Sequence, residues 1–79
     1  MKTLAYSDLG QYERAIQDYN KAIQLNPNYA EAYNNRGWAY YCLKQYGKAL
    51  KDFEKALELN PNFTLAKNNR EVCLKAMGK

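Results

Sequence analysis

Two stretches of the chain repeat each other at an offset of 34 residues. Residues 15–29 read AIQDYNKAIQLNPNY, and residues 49–63 read ALKDFEKALELNPNF. Both alanines, the aspartate, one lysine, one leucine and the Asn-Pro-Asn triplet recur in place. Most of the differences exchange Ile for Leu or Tyr for Phe. The same offset aligns residues 34–36 with residues 68–70, since both read Asn-Asn-Arg. Self-similarity at a fixed period predicts stacked supersecondary units that share one continuous core.

The apolar residues inside each unit have helical spacing. Ala15, Ile16, Tyr19, Ala22 and Ile23 fall on one stripe at 3.6 residues per turn, and the equivalent residues of the second unit repeat the stripe. No segment alternates as a strand would. We therefore predict an all-α chain of helices at residues 2–9, 12–25, 29–43, 46–59 and 63–77.

Residues between the predicted helices give turn signals. Gly10 suits the left-handed position that follows a helix C-terminus. Lys44 occupies the equivalent position of the second unit, where a left-handed lysine predicts a slightly strained turn. Asn28 and Glu31 have the spacing of a capping box, which predicts that Asn28 caps the third helix.

The repeat carries a recognisable signature. The chain resembles the tetratricopeptide repeat family at the spaced positions Tyr33, Gly37, Tyr40, Ala49, Phe53, Ala56 and Pro61. The first unit matches at Tyr6, Ala15, Tyr19, Ala22 and Pro27, whereas Arg36 stands where the family usually has leucine. The resemblance implies a short right-handed helical-repeat solenoid of antiparallel helix pairs. It divides the chain into a truncated repeat (1–29), a complete repeat (30–63) and a capping helix (64–79).

The capping role is predicted from charge. Lys67, Glu71 and Lys75 stand where Tyr33, Gly37 and Tyr41 stand one repeat earlier, so the packing face of a further repeat is replaced by charged side chains. We expect the C-terminus to be a true end of the array and the N-terminal repeat to be cut.

Composition argues against catalysis. The chain has no histidine, and its two cysteines, Cys42 and Cys73, form no Cys-x-x-Cys pair. The carboxylates are dispersed, and no phosphate-binding loop is present. We expect a non-enzyme without cofactor or metal, in which both cysteines are reduced structural thiols. Without an apolar run of about 20 residues or a signal peptide, we expect no membrane association and a cytoplasmic location.

One stripe on the predicted third helix is offset from its core stripe. In the relatives that the chain resembles, this stripe lines a concave groove that holds an extended peptide. The resemblance therefore predicts a protein–protein interaction module that binds a protein or peptide segment. The predicted partner-binding residues are Glu31, Asn34, Trp38 and Tyr41, with Leu65, Asn68 and Val72 on the last helix. Leu4 and Ser7 are their equivalents on the first helix.

The character of the groove and the exposure of Trp38 stay open at this point. Some proteins that the chain resembles hold the C-terminal carboxylate of a peptide in a clamp of lysine, arginine and asparagine. Asn35 and Asn69 match the asparagines of this clamp, but Trp38 and Leu65 stand where a basic or polar member is expected. This pattern favours a neutral or hydrophobic peptide. Trp38 either lines the groove as a binding anchor or is buried between adjacent repeats.

Two alternative functions remain. Apolar residues near the N-terminus predict self-association as a homo-oligomer: Leu4, Tyr6, Leu9 and Tyr12. Single-stranded RNA binding is a weaker alternative, because a possible basic face on the fourth helix is not matched by a basic groove. That face comprises Lys48, Lys51 and Lys55 of the fourth helix with Lys44 just before it, and acidic residues share the helix. Nucleic acid is therefore not the expected partner.

Overall fold

The computed structural model describes the backbone of residues 4–78 and the side chains of residues 10–78. This part of the chain contains four α-helices and no strand: α1 (Leu4–Leu25), α2 (Ala30–Cys42), α3 (Tyr46–Leu59) and α4 (Thr64–Ala76). Helix α2 packs between α1 and α3, and α4 packs on α3 and touches α2. The last three helices confirm the predicted segments to within one residue at each end. None of the described helices is long and apolar enough to span a membrane.

The Asn-Pro-Asn triplets form two equivalent turns. The backbone N–H of Tyr29 donates to the carbonyl of Asn26 (3.1 Å), and the Asn26 side chain accepts from the N–H of Asn28 (3.2 Å). Pro27 occupies the second position of this turn, which its fixed φ favours. The second triplet repeats both bonds. The predicted capping box is wrong, because Asn28 lies within the turn, one residue before the N-cap of α2. Tyr29 occupies the N-cap position and makes no side-chain cap bond.

The turn between α2 and α3 confirms the prediction for Lys44, whose φ is 65°. The N–H of Lys44 donates to the Tyr41 carbonyl, and the N–H of Gln45 donates to the Tyr40 carbonyl, both at 2.9 Å. This is the Schellman pattern, in which a left-handed residue satisfies the last carbonyls of a helix. A lysine there costs about 1 kcal/mol relative to glycine.

The predicted break at Gly10 is wrong, because α1 continues through it as one helix. A glycine permits a left-handed backbone but does not enforce one, so packing decides. In the reversed pair α2–α3, a Cβ on Gly37 would lie 2.7 Å from the Phe53 ring. The first repeat has Thr3 and Tyr19 at these two positions. A reversed first helix would therefore set a branched side chain against an aromatic ring, which opposes the reversal.

Small residues build the core between the helices. The buried apolar residues are Ala32 and Ala39 of α2, Ala49, Phe53 and Ala56 of α3, and Ala66 and Cys73 of α4. All of them except Phe53 are small, which allows the helices to approach closely. Both cysteines are free: Cys73, at the repeat position of Ala39, is buried, and Cys42 is half-buried. The charged residues Lys67, Glu71 and Lys75 of α4 are exposed.

Arg36 has a structural role that the sequence comparison missed. Its Nε and Nη2 each donate to one carboxylate oxygen of Asp52 at 2.7 Å, and its Nη1 donates to Asn20 Oδ1 at 2.9 Å. The guanidinium also lies 5.5 Å from the Tyr33 ring centroid. The hydrogen bonds that Arg36 donates to Asp52 raise the pKa of Arg36 despite desolvation, so the guanidinium stays charged at neutral pH. Arg36 thus joins α1, α2 and α3 and positions α2.

Candidate functional site

A pocket of about 310 Å³ opens between α1, α2 and α4. Its lining residues are Tyr19 of α1, Asn34, Asn35 and Trp38 of α2, and Leu65 and Asn69 of α4. The same helices that build the repeat therefore bring together aromatic, aliphatic and carboxamide side chains at one concavity.

Trp38 forms an exposed aromatic wall of the pocket. It is 39% exposed, which decides against burial between the repeats. Its ring stacks on Tyr41 with a centroid separation of 4.9 Å and an interplanar angle of 23°, and Tyr41 lies 5.5 Å from the ring of Tyr46. Because Tyr41 packs against the core cluster of Ala49, Phe53 and Cys73, this stack holds the Trp38 ring in place from behind.

Three asparagines supply the polar side of the pocket. Asn34 is only 2% exposed, and its Oδ1 accepts a hydrogen bond of 3.0 Å from Nδ2 of Asn69. Asn34 therefore orients Asn69 across the α2–α4 contact, and most of its surface is inaccessible to a ligand. Asn35 is exposed and Asn69 is half-buried. Carboxamides at these two positions offer a donor and an acceptor to a peptide backbone.

The pocket includes three of the predicted partner-binding residues: Asn34, Trp38 and Leu65. Leu65 is 55% exposed, so α4 contributes an accessible aliphatic surface to the pocket. Four others lie outside the pocket lining, and their role in a longer groove stays a prediction: Glu31, Tyr41, Asn68 and Val72. The side chains of Leu4 and Ser7 lie outside the described residues.

Three lining residues are not among the predicted partner-binding residues: Tyr19, Asn35 and Asn69. Tyr19 matches Phe53, which is fully buried, so the repeat pattern assigned it to the core. Asn35 and Asn69 occupy the same position in successive repeats, and that equivalence was the available signal. The predicted stripe ran through Asn34 and Asn68, one residue before Asn35 and Asn69, which both line the pocket.

The lining of the pocket is uncharged. None of its six residues is acidic or basic, and the guanidinium of the neighbouring Arg36 is already paired with Asp52. Among the described residues, no group of His, Cys, Asp or Glu could hold a metal ion. Burial raises the pKa of Cys73, and its thiol donates to the Tyr46 carbonyl at 3.3 Å. A protonated, hydrogen-bonded thiol is a poor nucleophile.

Comparison with known proteins agrees with this architecture. Two family models, described as TPR repeat and tetratricopeptide repeat, match residues 4–43 and 30–63. The NMR structure of the first TPR domain of human RPAP3 is similar, with 37% identity and a TM-score of 0.82 over 85% of this chain and 53% of that one. The first TPR of Spaghetti (RPAP3), bound to the HSP90 peptide SRMEEVD, has 36% identity and a TM-score of 0.84 over 94% of this chain and 59% of that one.

The chain thus spans between half and three fifths of the length of these two structures. No curated protein matches it in a sequence search. The similar structures, one of them with a bound peptide, support a protein–protein interaction module, which is a non-catalytic role typical of such repeats. On the family models and the two similar structures together, the chain belongs to the tetratricopeptide repeat family.

Proposed function

We propose that the chain binds an extended segment of a partner protein in the pocket between α1, α2 and α4, with Trp38 as the anchor. The observation that carries this proposal is the exposed Trp38 ring, fixed by its stack on Tyr41 and placed beside Asn35 and Asn69. An aromatic ring with large contact area and little freedom to lose is typical of binding hot spots. Carboxamides beside it can pair with the peptide backbone and set its register.

The similar structure with a bound HSP90 peptide supports a peptide as the ligand class. Three of the last four residues of that peptide, SRMEEVD, are acidic. The pocket of this chain offers no basic side chain among its lining residues, and a carboxylate buried without a partner is costly. We therefore propose that the preferred segment is neutral, with an aliphatic or aromatic side chain that packs between Trp38 and Leu65.

Selection from a random heptapeptide phage library on the immobilised chain tests this proposal. We expect enrichment of neutral sequences with at least one large apolar residue, and loss of that enrichment on the Trp38→Ala variant. Selected peptides are then titrated against the chain while the fluorescence of Trp38, its only tryptophan, is recorded. A ligand that covers the ring should shift its emission to shorter wavelength.

Two leucine variants form a matched pair for these titrations. Leu65 lines the pocket, whereas Leu25 is 76% exposed at the end of α1 and outside it. Leu65→Ala should weaken binding of the selected peptides by about 1 kcal/mol or more, and Leu25→Ala should leave it unchanged. Equal enrichment on the parent chain and Trp38→Ala, or equal effects of the two leucine variants, would contradict the proposal.

The two alternatives gain no specific support. Self-association was predicted from Leu4, Tyr6, Leu9 and Tyr12. The first three have side chains outside the described residues, and Tyr12 is half-buried. The lysines predicted to form a basic face line no part of the pocket. One of them, Lys55, is paired with an acidic residue, since its Nζ lies 3.5 Å from Oε1 of Glu58. A cytoplasmic location also stays a proposal, consistent with two free thiols.

A further inference from the structure

Helix α1 carries the same packing face as α3, but only the face of α3 is covered. In α3 the face consists of Ala49, Asp52, Phe53 and Ala56, and all four are buried. The equivalent residues of α1, called the α1 face here, are Ala15, Asp18, Tyr19 and Ala22. Asp18 is exposed and the other three are partly exposed. Because α1 continues straight through Gly10, its own N-terminal turns do not fold back over this face.

The contact between α2 and α3 shows what such a face accepts. A Cβ on Gly37 would lie 2.7 Å from the Phe53 ring and 3.1 Å from the Cβ of Asp52, so the contact requires a glycine. Arg36, immediately before that glycine, makes the two 2.7 Å bonds to Asp52. An adjacent arginine and glycine on one helix are therefore the complement of an aspartate and an adjacent aromatic ring on the other.

The α1 face presents the same aspartate and aromatic ring without a partner. Asp18 matches Asp52 and Tyr19 matches Phe53 in the repeat. Within the described part of the chain, Asp18 makes no ion pair or hydrogen bond. The charge that Arg36 neutralises on α3 is thus unpaired on α1, at the centre of an otherwise small and aromatic surface.

We propose that the α1 face binds a helix from a partner polypeptide that carries an arginine followed by a glycine on its contact side. Other occupants fit poorly. Helix α4 of a second copy has Glu71 at the glycine position, which would clash with Tyr19 and repel Asp18. The chain's own Thr3 also stands at the glycine position. This interaction differs from peptide binding in the pocket because it involves a helix and is centred on Asp18, although Tyr19 belongs to both surfaces.

NMR titration of the full-length 15N-labelled chain tests the inference. The probe is a synthetic peptide with the sequence of residues 30–43, AEAYNNRGWAYYCL, kept under reducing conditions. Short isolated helices are marginal in water, which lowers the affinity of every peptide variant alike. We expect amide shift changes centred on Ala15, Asp18 and Ala22, which belong to the α1 face and not to the pocket lining. The Gly37→Leu version of the peptide should bind at least about tenfold more weakly, because the leucine overpacks the contact.

A charge exchange makes the test specific. Asp18→Lys in the chain should weaken binding of the parent peptide about fivefold or more, since it removes the charge-assisted bidentate pair between Asp18 and the arginine of the peptide. The Arg36→Glu version of the peptide should recover affinity for that variant. Glu13→Lys is the matched control, because Glu13 is exposed on the opposite side of α1.

Three results would overturn the inference. The first is the absence of shifts at the α1 face at saturating peptide. The second is shifts centred on Trp38 and Leu65, which would place the peptide in the pocket instead. The third is an equal effect of Asp18→Lys and Glu13→Lys, which would show only a general charge effect. Failure of the pocket proposal would leave the inference standing, because its supporting readouts are shifts at Ala15 and Ala22 and the charge exchange at Asp18, and none of these residues lines the pocket.

Discussion

Helices α1 and α3 have the same pattern of apolar residues over residues 15–25 and 49–59, yet they differ in what covers them. The α3 residues Ala49, Phe53 and Ala56 are fully buried under their neighbours, whereas their α1 equivalents are partly exposed. The preceding turns differ as well: the chain reverses at Lys44, a poor left-handed residue, and continues as a helix through Gly10. The packing partner, more than the turn residue or the helix itself, therefore determines the local conformation.

The largest expected difference between the two helices concerns their aspartates. Asp52→Ala leaves the guanidinium of Arg36 largely desolvated without its carboxylate, which should cost about 3 kcal/mol of unfolding free energy. Asp18→Ala, the same change on the uncovered helix, should stay within about 0.5 kcal/mol. Urea denaturation followed by circular dichroism measures both. Similar losses for the two variants would show that the α1 face is covered in solution.

The glycines should respond to one substitution with opposite signs. Gly37→Ala places a methyl group 2.7 Å from a carbon of the Phe53 ring and should destabilise the chain by about 1–3 kcal/mol. A Cβ on Gly10 would have no heavy atom within 4 Å, and this residue lies inside a helix. Gly10→Ala should therefore stabilise α1 by about 0.5–1 kcal/mol. Helix content and thermal midpoints report both. Destabilisation by Gly10→Ala would restore the left-handed turn that the sequence predicted.

The cysteines test whether α3 is also covered on the side of α4. Cys73 is fully buried and bonded to the Tyr46 carbonyl, so Cys73→Ala should cost about 1–2 kcal/mol. Cys42→Ala, at the end of α2, should cost less than about 0.5 kcal/mol. The raised pKa of Cys73 keeps its thiol protonated in mildly alkaline solution. A thiol reagent should therefore modify Cys42 first, and equal rates at both cysteines would contradict this packing.

The smallest effect is expected at the turn itself. Lys44→Gly should stabilise the chain by about 0.5–1 kcal/mol, because glycine adopts a φ of 65° without the steric cost of a side chain. The control is Gln45→Gly, next to it at the N-cap of α3, where φ is −96° and glycine brings no such relief. Denaturation curves compare the two, and a loss of stability in Lys44→Gly would contradict the left-handed turn.

The sequence predicted the helical repeat well, because its period and small-residue spacing directly encode which helix faces pack. It failed at Gly10 and Asn28, where one residue type is compatible with two local conformations and tertiary contacts choose between them. The pocket was only partly predictable for a similar reason. Asn34 and Asn35 differ by 100° around α2, and only the packing of α4 shows that Asn34 is buried against Asn69 while Asn35 stays accessible.

The stability and the peptide affinity of the Trp38→Ala variant, measured on one preparation, decide whether the pocket is a binding site. With Trp38 39% exposed and stacked on Tyr41, its truncation should cost about 1–2 kcal/mol of stability. Peptide affinity should fall by at least about 2 kcal/mol, as for a central aromatic anchor. A stability loss of about 3–5 kcal/mol, with the affinity of the remaining folded chain unchanged, would instead make Trp38 a core residue and contradict the proposed function.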